Sequence, residues 1–370
     1  MAHFATCTTW TAALISAGLG YLTYSQLRPL PRRAGTQAPT ETVVIVGASS
    51  GLGREVALQY AARGARILLV ARRHELLASL AAECASAADA HPATQVAYHV
   101  ADISDPVDVA ATAEAWATSL SNDNEIGSPP VLDTLILCAG IISVRPFTEW
   151  TASFGESDHP PASLQDRLTR ARGQIDRIMG INFSGLVTTT QAFLPYLQRA
   201  PAGRVVVISS AAGKTGTPTR SLYAASKHAL HGFFDSLRIE LAAAPRVELT
   251  DYPEGQRVSA PVSVCLVCPA TIDTDLRRTA VDLPSEPRGA TPNVADRNSL
   301  QPSPAPAVQV AGSQKRKLSP AACAARVIRA ADNTQEREVF IPKFFSVVPW
   351  IQLVWPGLLD YLASRKYGMV

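Results

Sequence analysis

The chain has 370 residues, with 34 Lys and Arg against 31 Asp and Glu, for a net charge of +3. That balance excludes a nucleic-acid binder working through a strongly basic surface, and equally an acidic disordered chain, so no nucleic-acid partner is expected. Apolar residues make up 47 % and charged ones only 18 %, and six scattered cysteines make no disulfide scaffold, which leaves ample material for a core and some surface that prefers lipid to water.

Residues 1–27 contain no Lys, Arg, Asp or Glu and hold an apolar centre from Ala12 to Leu22. As a helix this stretch is long enough to cross ~30 Å of hydrocarbon, so a membrane anchor is expected. Its first charged followers are Arg28, Arg32 and Arg33, an order that leaves everything downstream in the cytosol. A cleaved signal peptide has a similar apolar run but carries its positive charge in front of it. Residues 28–41 read as a linker.

From residue 42 strands and helices alternate. The β-branched run 42–46 stops at Gly47-Ala-Ser49-Ser50-Gly51-Leu52-Gly53, and helical spacing follows over 51–63. A strand over 65–71 and an alanine-rich helix over 75–88 come next, and further strands are expected at 96–100, 134–138, 204–209 and 262–268. Near-continuous apolar strands separated by helices imply an α/β fold, a doubly wound parallel sheet covered on both faces.

The glycine loop has the context that gives such a motif meaning, a strand before it and a helix after it. Gly47 permits the tight turn, Gly51 lets backbone N–H groups approach a pyrophosphate, and Gly53 lets helix and strand pack closely. The next strand ends in Arg72 and Arg73 with no carboxylate. A free ribose 2′-OH wants a carboxylate at this position and a 2′-phosphate wants a guanidinium, so NADP(H) is the expected cofactor. Arg73 can be explained as a cap of the following helix, which leaves Arg72 for the phosphate.

Ser210 is followed thirteen residues later by Tyr223-Ala-Ala-Ser-Lys227. Tyr223 and Lys227 are i and i+4, so on a helix they share a face. A phenol is a poor acid–base catalyst at neutral pH until an adjacent cation lowers its pKa, which Lys227, helped by an oxidised nicotinamide ring, can do, while Ser210 holds the substrate oxygen.

With these residues in place, the chain from about 43 to 341 resembles the short-chain dehydrogenase/reductase superfamily, which implies a single Rossmann domain at 42–341. The resemblance also rests on Asp102, which would touch the adenine, on Ala139 and Gly140 after the fourth strand, and on Asn182 in Gly-Ile-Asn-Phe-Ser. Pro269, Ile272 and Thr274 match the segment that lies along the nicotinamide. The resemblance implies a catalytic set of Asn182, Ser210, Tyr223 and Lys227, with Asn182 holding a water in a proton relay and Lys227 also binding the nicotinamide ribose. It also implies transfer of the pro-S hydride. The stretch 218–240 looks like the dehydrogenase/reductase member 7 and 7B group, with the 11β-hydroxysteroid dehydrogenases as neighbours. Those relatives are membrane-anchored and act on lipophilic carbonyls or alcohols, and one branch is linked to reduction of acyl-dihydroxyacetone phosphate.

The expectation is therefore an NADP-dependent oxidoreductase, working as a reductase on a lipid-precursor ketone, a steroid or a retinoid. It would sit at the endoplasmic reticulum membrane facing the cytosol, with membrane lipid as a partner and a homodimer allowed. The alternative is a membrane-bound NADP(H) sensor or scaffold without turnover. The chain departs from the family at Val46, at Leu137 and Cys138 in place of paired asparagines, and at Ala270 after Pro269. None of these is a catalytic position.

Residues 283–320, rich in proline, read as a disordered insertion where the family places its substrate lid, and Lys315-Arg316-Lys317 within it as a solvated run. Residues 156–172 read as an enlarged loop before the Asn182 helix. Residues 342–370 are hydrophobic, and Pro349 and Pro356 oppose a straight spanning helix. This end is either membrane-interfacial or a lid packed on the core. Cys265 and Cys268 have CxxC spacing with no second pair and no histidine cluster in sequence, so no metal is expected. His228 and His231 read as helix-surface or core residues, and the sequon at Asn182 as unused.

Overall fold

A computed structural model describes residues 41–87, 94–119, 130–150, 163–243, 262–282 and 317–369. Seven parallel strands form one sheet in the order β3-β2-β1-β4-β5-β6-β7. They are β1 (Thr42–Val46), β2 (Arg66–Ala71), β3 (Gln95–Val100), β4 (Thr134–Leu137), β5 (Arg204–Ile208), β6 (Ser263–Pro269) and β7 (Glu338–Ile341). The expected doubly wound sheet is present, with element ends moved by a residue or two, as where the first helix stops at Ala61 instead of residue 63. Strands β1, β4 and β5 are buried along nearly their whole length because helices cover both faces, which is why they read as unbroken Val/Ile/Leu runs.

On one face lie α1 (Gly51–Ala61), α2 (His74–Ala87) and α7 (Pro320–Asp332), packed over Val43, Ile45, Ile67 and Val206. On the other lie α3 (Pro106–Ser119), α5 (Gly185–Arg199) and α6 (Ser221–Ala243), closing over Val44, Leu68, Leu135 and Val205 around Trp116 and Phe193. The helix α4 (Leu164–Met179) runs into α5 through a π turn at Gly180–Ser184. The strand order reverses between β1 and β4, and in open α/β sheets the crevice at that switch is where ligands bind.

Two readings differ from expectation, and the first is the loop at 156–172, which is helical from Leu164 because α4 begins there behind its Ser163 cap. The described residues resume at Lys317, inside the stretch read as an insertion to residue 320. Leu318 bridges Ile272 in parallel register, and Ser319 caps α7 by accepting from the Ala322 amide. Local composition hides this, because the partner of Leu318 is forty-six residues upstream. Ser319→Ala should cost about 0.5–1 kcal/mol, read as a shift of the denaturation midpoint at unchanged slope. Residues 1–27, most of the linker and residues 283–316 lie outside the described residues.

At the C-terminus Pro349 and Pro356 fall in the first turns of two short helices, α8 (Val348–Val354) and α9 (Pro356–Lys366). Phe344, Trp350, Leu353, Trp355 and Leu362 are exposed along this end. Among the described residues no helix is long and apolar enough to cross a membrane.

Candidate active site

The glycine loop closes the carboxyl end of β1. Gly47 has φ +85° and passes so close to the chain leaving β4 that an added Cβ would lie 2.5 Å from the Ala139 amide nitrogen. At Gly53 a Cβ would collide with the Gly47 carbonyl, so these two glycines together set how closely α1 can approach β1. The loop and the N-terminus of α1 form one wall of a cavity of about 850 Å³ at the switch point. Every residue singled out from sequence for cofactor or catalysis borders it except Asn182, which is fully buried behind Gly140.

Both arginines after β2 have partners on the cavity wall. Arg72 is not free: its guanidinium meets the Asp102 carboxylate at 3.4 Å. Burial pushes the Asp102 carboxyl up, but hydrogen bonds from Ser104 and the charge of Arg72 outweigh it and hold the group below its ordinary value. Arg73 holds the N-cap position of α2 through its carbonyl, which accepts from the Leu77 amide at 3.1 Å, but its side chain is not spent there. It reaches back to the glycine loop and donates to Ser49 Oγ (2.9 Å) and Ser50 Oγ (2.7 Å). A guanidinium thus stands beside the loop hydroxyls, where the expected reading placed a helix cap.

Tyr223 and Lys227 share one face of α6, as their spacing requires. The Lys227 Nζ lies 5.9 Å from the Tyr223 ring centre and donates to the Ile208 carbonyl at 2.8 Å. Burial, partly opposed by Cys138 and Cys268, pushes the Lys227 ammonium down to about 8. The Tyr223 phenol and Ser210 border the same cavity, and the Ser210 Oγ accepts from the Ala212 amide at 3.1 Å. Here the expectation fails in one respect. Burial raises the Tyr223 phenol above its ordinary value, and Ser210, Arg220 and Arg277 pull against that without reversing it. Desolvation is the largest of these influences, and Lys227 is not among those that oppose it.

Asn182 sits in the π turn, a local widening frequent at functional sites. Its side chain is wholly committed: Oδ1 accepts from the Ile141 amide (2.7 Å), while Nδ2 donates to the Ile141 carbonyl (2.8 Å) and to Ser226 Oγ (2.9 Å). It therefore ties the segment after β4 to α6. Gly140 keeps open the space between Asn182 and Lys227, since a Cβ there would stand 3.4 Å from the amide oxygen and 3.5 Å from Nζ.

Sequence reading passed over Arg220, Arg277 and Tyr367. Arg220 follows Thr219, which is held at φ +67°, a strained position of the kind that clusters at active sites. Its Nη1 donates to the Tyr367 hydroxyl at 3.0 Å, and its buried Nε has no partner. Arg277 donates to Thr271 Oγ1 at 2.8 Å, and burial together with the nearby Arg220 pushes its guanidinium down from its ordinary value. Two guanidiniums beside one phenol make this mouth receptive to an anion. No local pattern announces them, because Tyr367 comes from the far end of the chain.

A second group lies behind the site. Cys268, read as a strand cysteine without a histidine partner, is 3.7 Å from His231 Nε2, because α6 crosses over β6.

The profile of the short chain dehydrogenase family matches residues 41–283. Dehydrogenase/reductase SDR family member 7B of Bos taurus is 34 % identical over 244 residues, 65 % of this chain and 60 % of its own length. An 11-beta-hydroxysteroid dehydrogenase A of Sesamum indicum is 29 % identical over 335 residues, 88 % of this chain and 75 % of its own. Among solved structures, an NAD complex of a short chain dehydrogenase/reductase from Burkholderia phymatum superposes with TM-score 0.59 at 20 % identity, covering 88 % of this chain and 97 % of that one. An alcohol dehydrogenase of Thermococcus sibiricus bound to 5-hydroxy-NADP gives 0.54 at 19 % identity, covering 82 % and 96 %.

Proposed function

The chain belongs to the short chain dehydrogenase family of oxidoreductases, and from that premise we propose that it is an NADP(H)-dependent reductase of lipophilic ketones, with Asn182, Ser210, Tyr223 and Lys227 as its working residues. The observation that carries this reading is the Tyr223 phenol, buried at the wall of the switch-point cavity with Ser210 on the same wall and Lys227 one helical turn on. The cavity fits a dinucleotide: Gly47 and Gly53 make a cradle a Cβ would fill, and Asp102 stands at the far end. Gly51, Leu52 and the α1 N-terminus would hold the pyrophosphate. Arg73, with Ser49 and Ser50, would hold the 2′-phosphate, and Arg72 acts with Asp102. Ala139, Gly140, Pro269, Ile272 and Thr274 would flank the nicotinamide, which supplies the hydride when bound.

The protein's own part is proton delivery. Ser210 donates to the substrate carbonyl and fixes it against Tyr223, and the phenol gives its proton to the oxygen as negative charge develops there. Lys227, one turn on, stabilises the phenolate left behind. Tyr223 enters the reaction protonated, and release of its proton depends on the charge of Lys227.

Within the reductase class the lipid-precursor ketone is the favoured substrate over the steroid or retinoid type. Arg220 and Arg277 beside Tyr223 suit a headgroup carrying negative charge, and the exposed apolar side chains of the C-terminal segment, whose Phe345 and Tyr367 border the mouth, suit delivery from a lipid surface. The site would then work on a membrane, with the endoplasmic reticulum and its cytosolic face as the proposed location.

The test is NADPH consumption by the chain in mild detergent, on a phosphorylated acyl ketone, a ketosteroid and retinal, with NADH and Tyr223→Phe as controls. Tyr223-dependent turnover with NADPH on the phosphorylated ketone is expected. Arg277→Gln should raise KM for that substrate ~10-fold and leave an uncharged ketone unaffected. NADPH binding without consumption on any carbonyl would leave a sensor in place of an enzyme.

A further inference from the structure

The CxxC pair has no place in the chemistry above, yet one of its sulfurs meets two other metal-ligand side chains. His231 on α6, Cys268 on β6 and Glu338 at the start of β7 bring a ring nitrogen, a thiol sulfur and a carboxylate oxygen within 4.8 Å of one another. The Cys268 Sγ is 3.7 Å from His231 Nε2 and 3.8 Å from Glu338 Oε1, and His231 Nδ1 is 3.4 Å from that same oxygen. A zinc-type ion bonds sulfur at about 2.3 Å and nitrogen or oxygen at about 2.0–2.2 Å, which in a tetrahedron sets the ligand atoms roughly 3.4–3.6 Å apart. The Nδ1-to-oxygen distance matches that spacing, and the sulfur, whose 3.7 Å contact is with the other ring nitrogen, lies within 4.8 Å of the set and must close on the ion as it binds.

The imidazole adds an independent sign. His231 is 6 % exposed, and its Nδ1, which faces Glu338, is buried without a hydrogen bond. Its Nε2 lies 3.0 Å from Ser209 Oγ. Ligating histidines commonly have this arrangement, one nitrogen toward the metal and the other fixed by an outer partner that sets the tautomer. Only Cys265 of the CxxC pair is left out, since its sulfur is not in the group.

We propose that His231, Cys268 and Glu338 form a binding site for a divalent transition-metal ion of the zinc type, one layer behind the reductase residues. Binding releases the Cys268 thiol proton to solvent and leaves a thiolate and a carboxylate facing the dication, so charge is balanced. Lys214 currently supplies the counter-charge, with its ammonium 2.8 Å from Glu338 Oε1. Both side chains are partly exposed, so the ion has a path in and the lysine a path out to water. The fourth position falls to water. His231 is one helical turn beyond Lys227, Cys268 precedes Pro269, and Ser209 precedes Ser210, so an ion here acts on the reaction centre through its nearest supports.

The test is titration of the full chain in mild detergent with Co²⁺, a spectroscopic stand-in for Zn²⁺, under a non-chelating reductant. One equivalent should produce a thiolate-to-cobalt charge-transfer band that Zn²⁺ abolishes. Cys268→Ser should remove the band, His231→Gln should weaken binding more than ~10-fold, and Lys214→Met, which removes the competing ammonium, should tighten it. Thermal unfolding of each variant distinguishes a lost ligand from a lost fold. Absence of the band at equimolar Co²⁺, or a band that survives both Cys268→Ser and His231→Gln, overturns the site and leaves these residues as a brace for the Ser209 loop.

Discussion

Tyr223→Phe is expected to lower kcat for ketone reduction by about 10²–10⁴-fold while leaving NADPH affinity unchanged. The ring packs against Ile142, Ala212 and Ala224, and phenylalanine keeps all of that contact. What is lost is the hydroxyl that Ser210 orients and that must give up its proton. The pH profile separates this role from simple packing. Lys227 carries its charge below about 8 and loses it above, because burial has drawn its pKa down. Wild-type reduction should therefore be level below about pH 8 and decline as pH rises past it, as the phenolate loses its stabilising cation. In Lys227→Met the rate should be low throughout, with no break near 8. A Tyr223→Phe enzyme that retained turnover, or a wild-type profile indifferent to pH across this range, would remove Tyr223 from the proton-delivery role.

Features that depend on short spacings were legible in the chain. The glycine loop needs only a strand, three glycines and a helix in order, and Tyr223 with Lys227 needs only one turn of helix. The sheet was legible because β1, β4 and β5 are buried on both faces and cannot vary from apolar. What escaped is whatever is assembled across the fold. Arg73 was read as a cap because nothing local says that it turns back on Ser49 and Ser50. Arg220 and Arg277 become a pair only when the segment after β6 folds over α6. His231 meets Cys268 only because that helix crosses that strand, which no count of cysteines in sequence can reveal. The expected pKa of Tyr223 failed for a related reason, since a nearby lysine is visible in sequence whereas the depth of burial that outweighs it is not.

Arg73→Gln is expected to raise KM for NADPH by about 10-fold and leave KM for NADH nearly unchanged. A hydrogen bond to a charged group contributes about 1.5–3 kcal/mol, and the exposure of Arg73 to solvent places its effect at the low end of that range. The direction follows from charge. The guanidinium is pinned by Ser49 and Ser50 beside the first glycine turn, so it needs little rearrangement to meet a 2′-phosphate, and NADH has no phosphate to lose. Arg72→Gln should behave differently, because Arg72 is paired with Asp102 at 3.4 Å. Removing it uncovers the Asp102 carboxylate, which repels a 2′-phosphate and accepts a hydrogen bond from a 2′-OH, so KM for NADPH should rise while KM for NADH falls. Steady-state kinetics of both variants with both cofactors decides the matter. Equal changes for NADPH and NADH in Arg73→Gln would mean that the guanidinium serves the loop rather than the phosphate. The preference for NADP(H) would then rest on Arg72 alone.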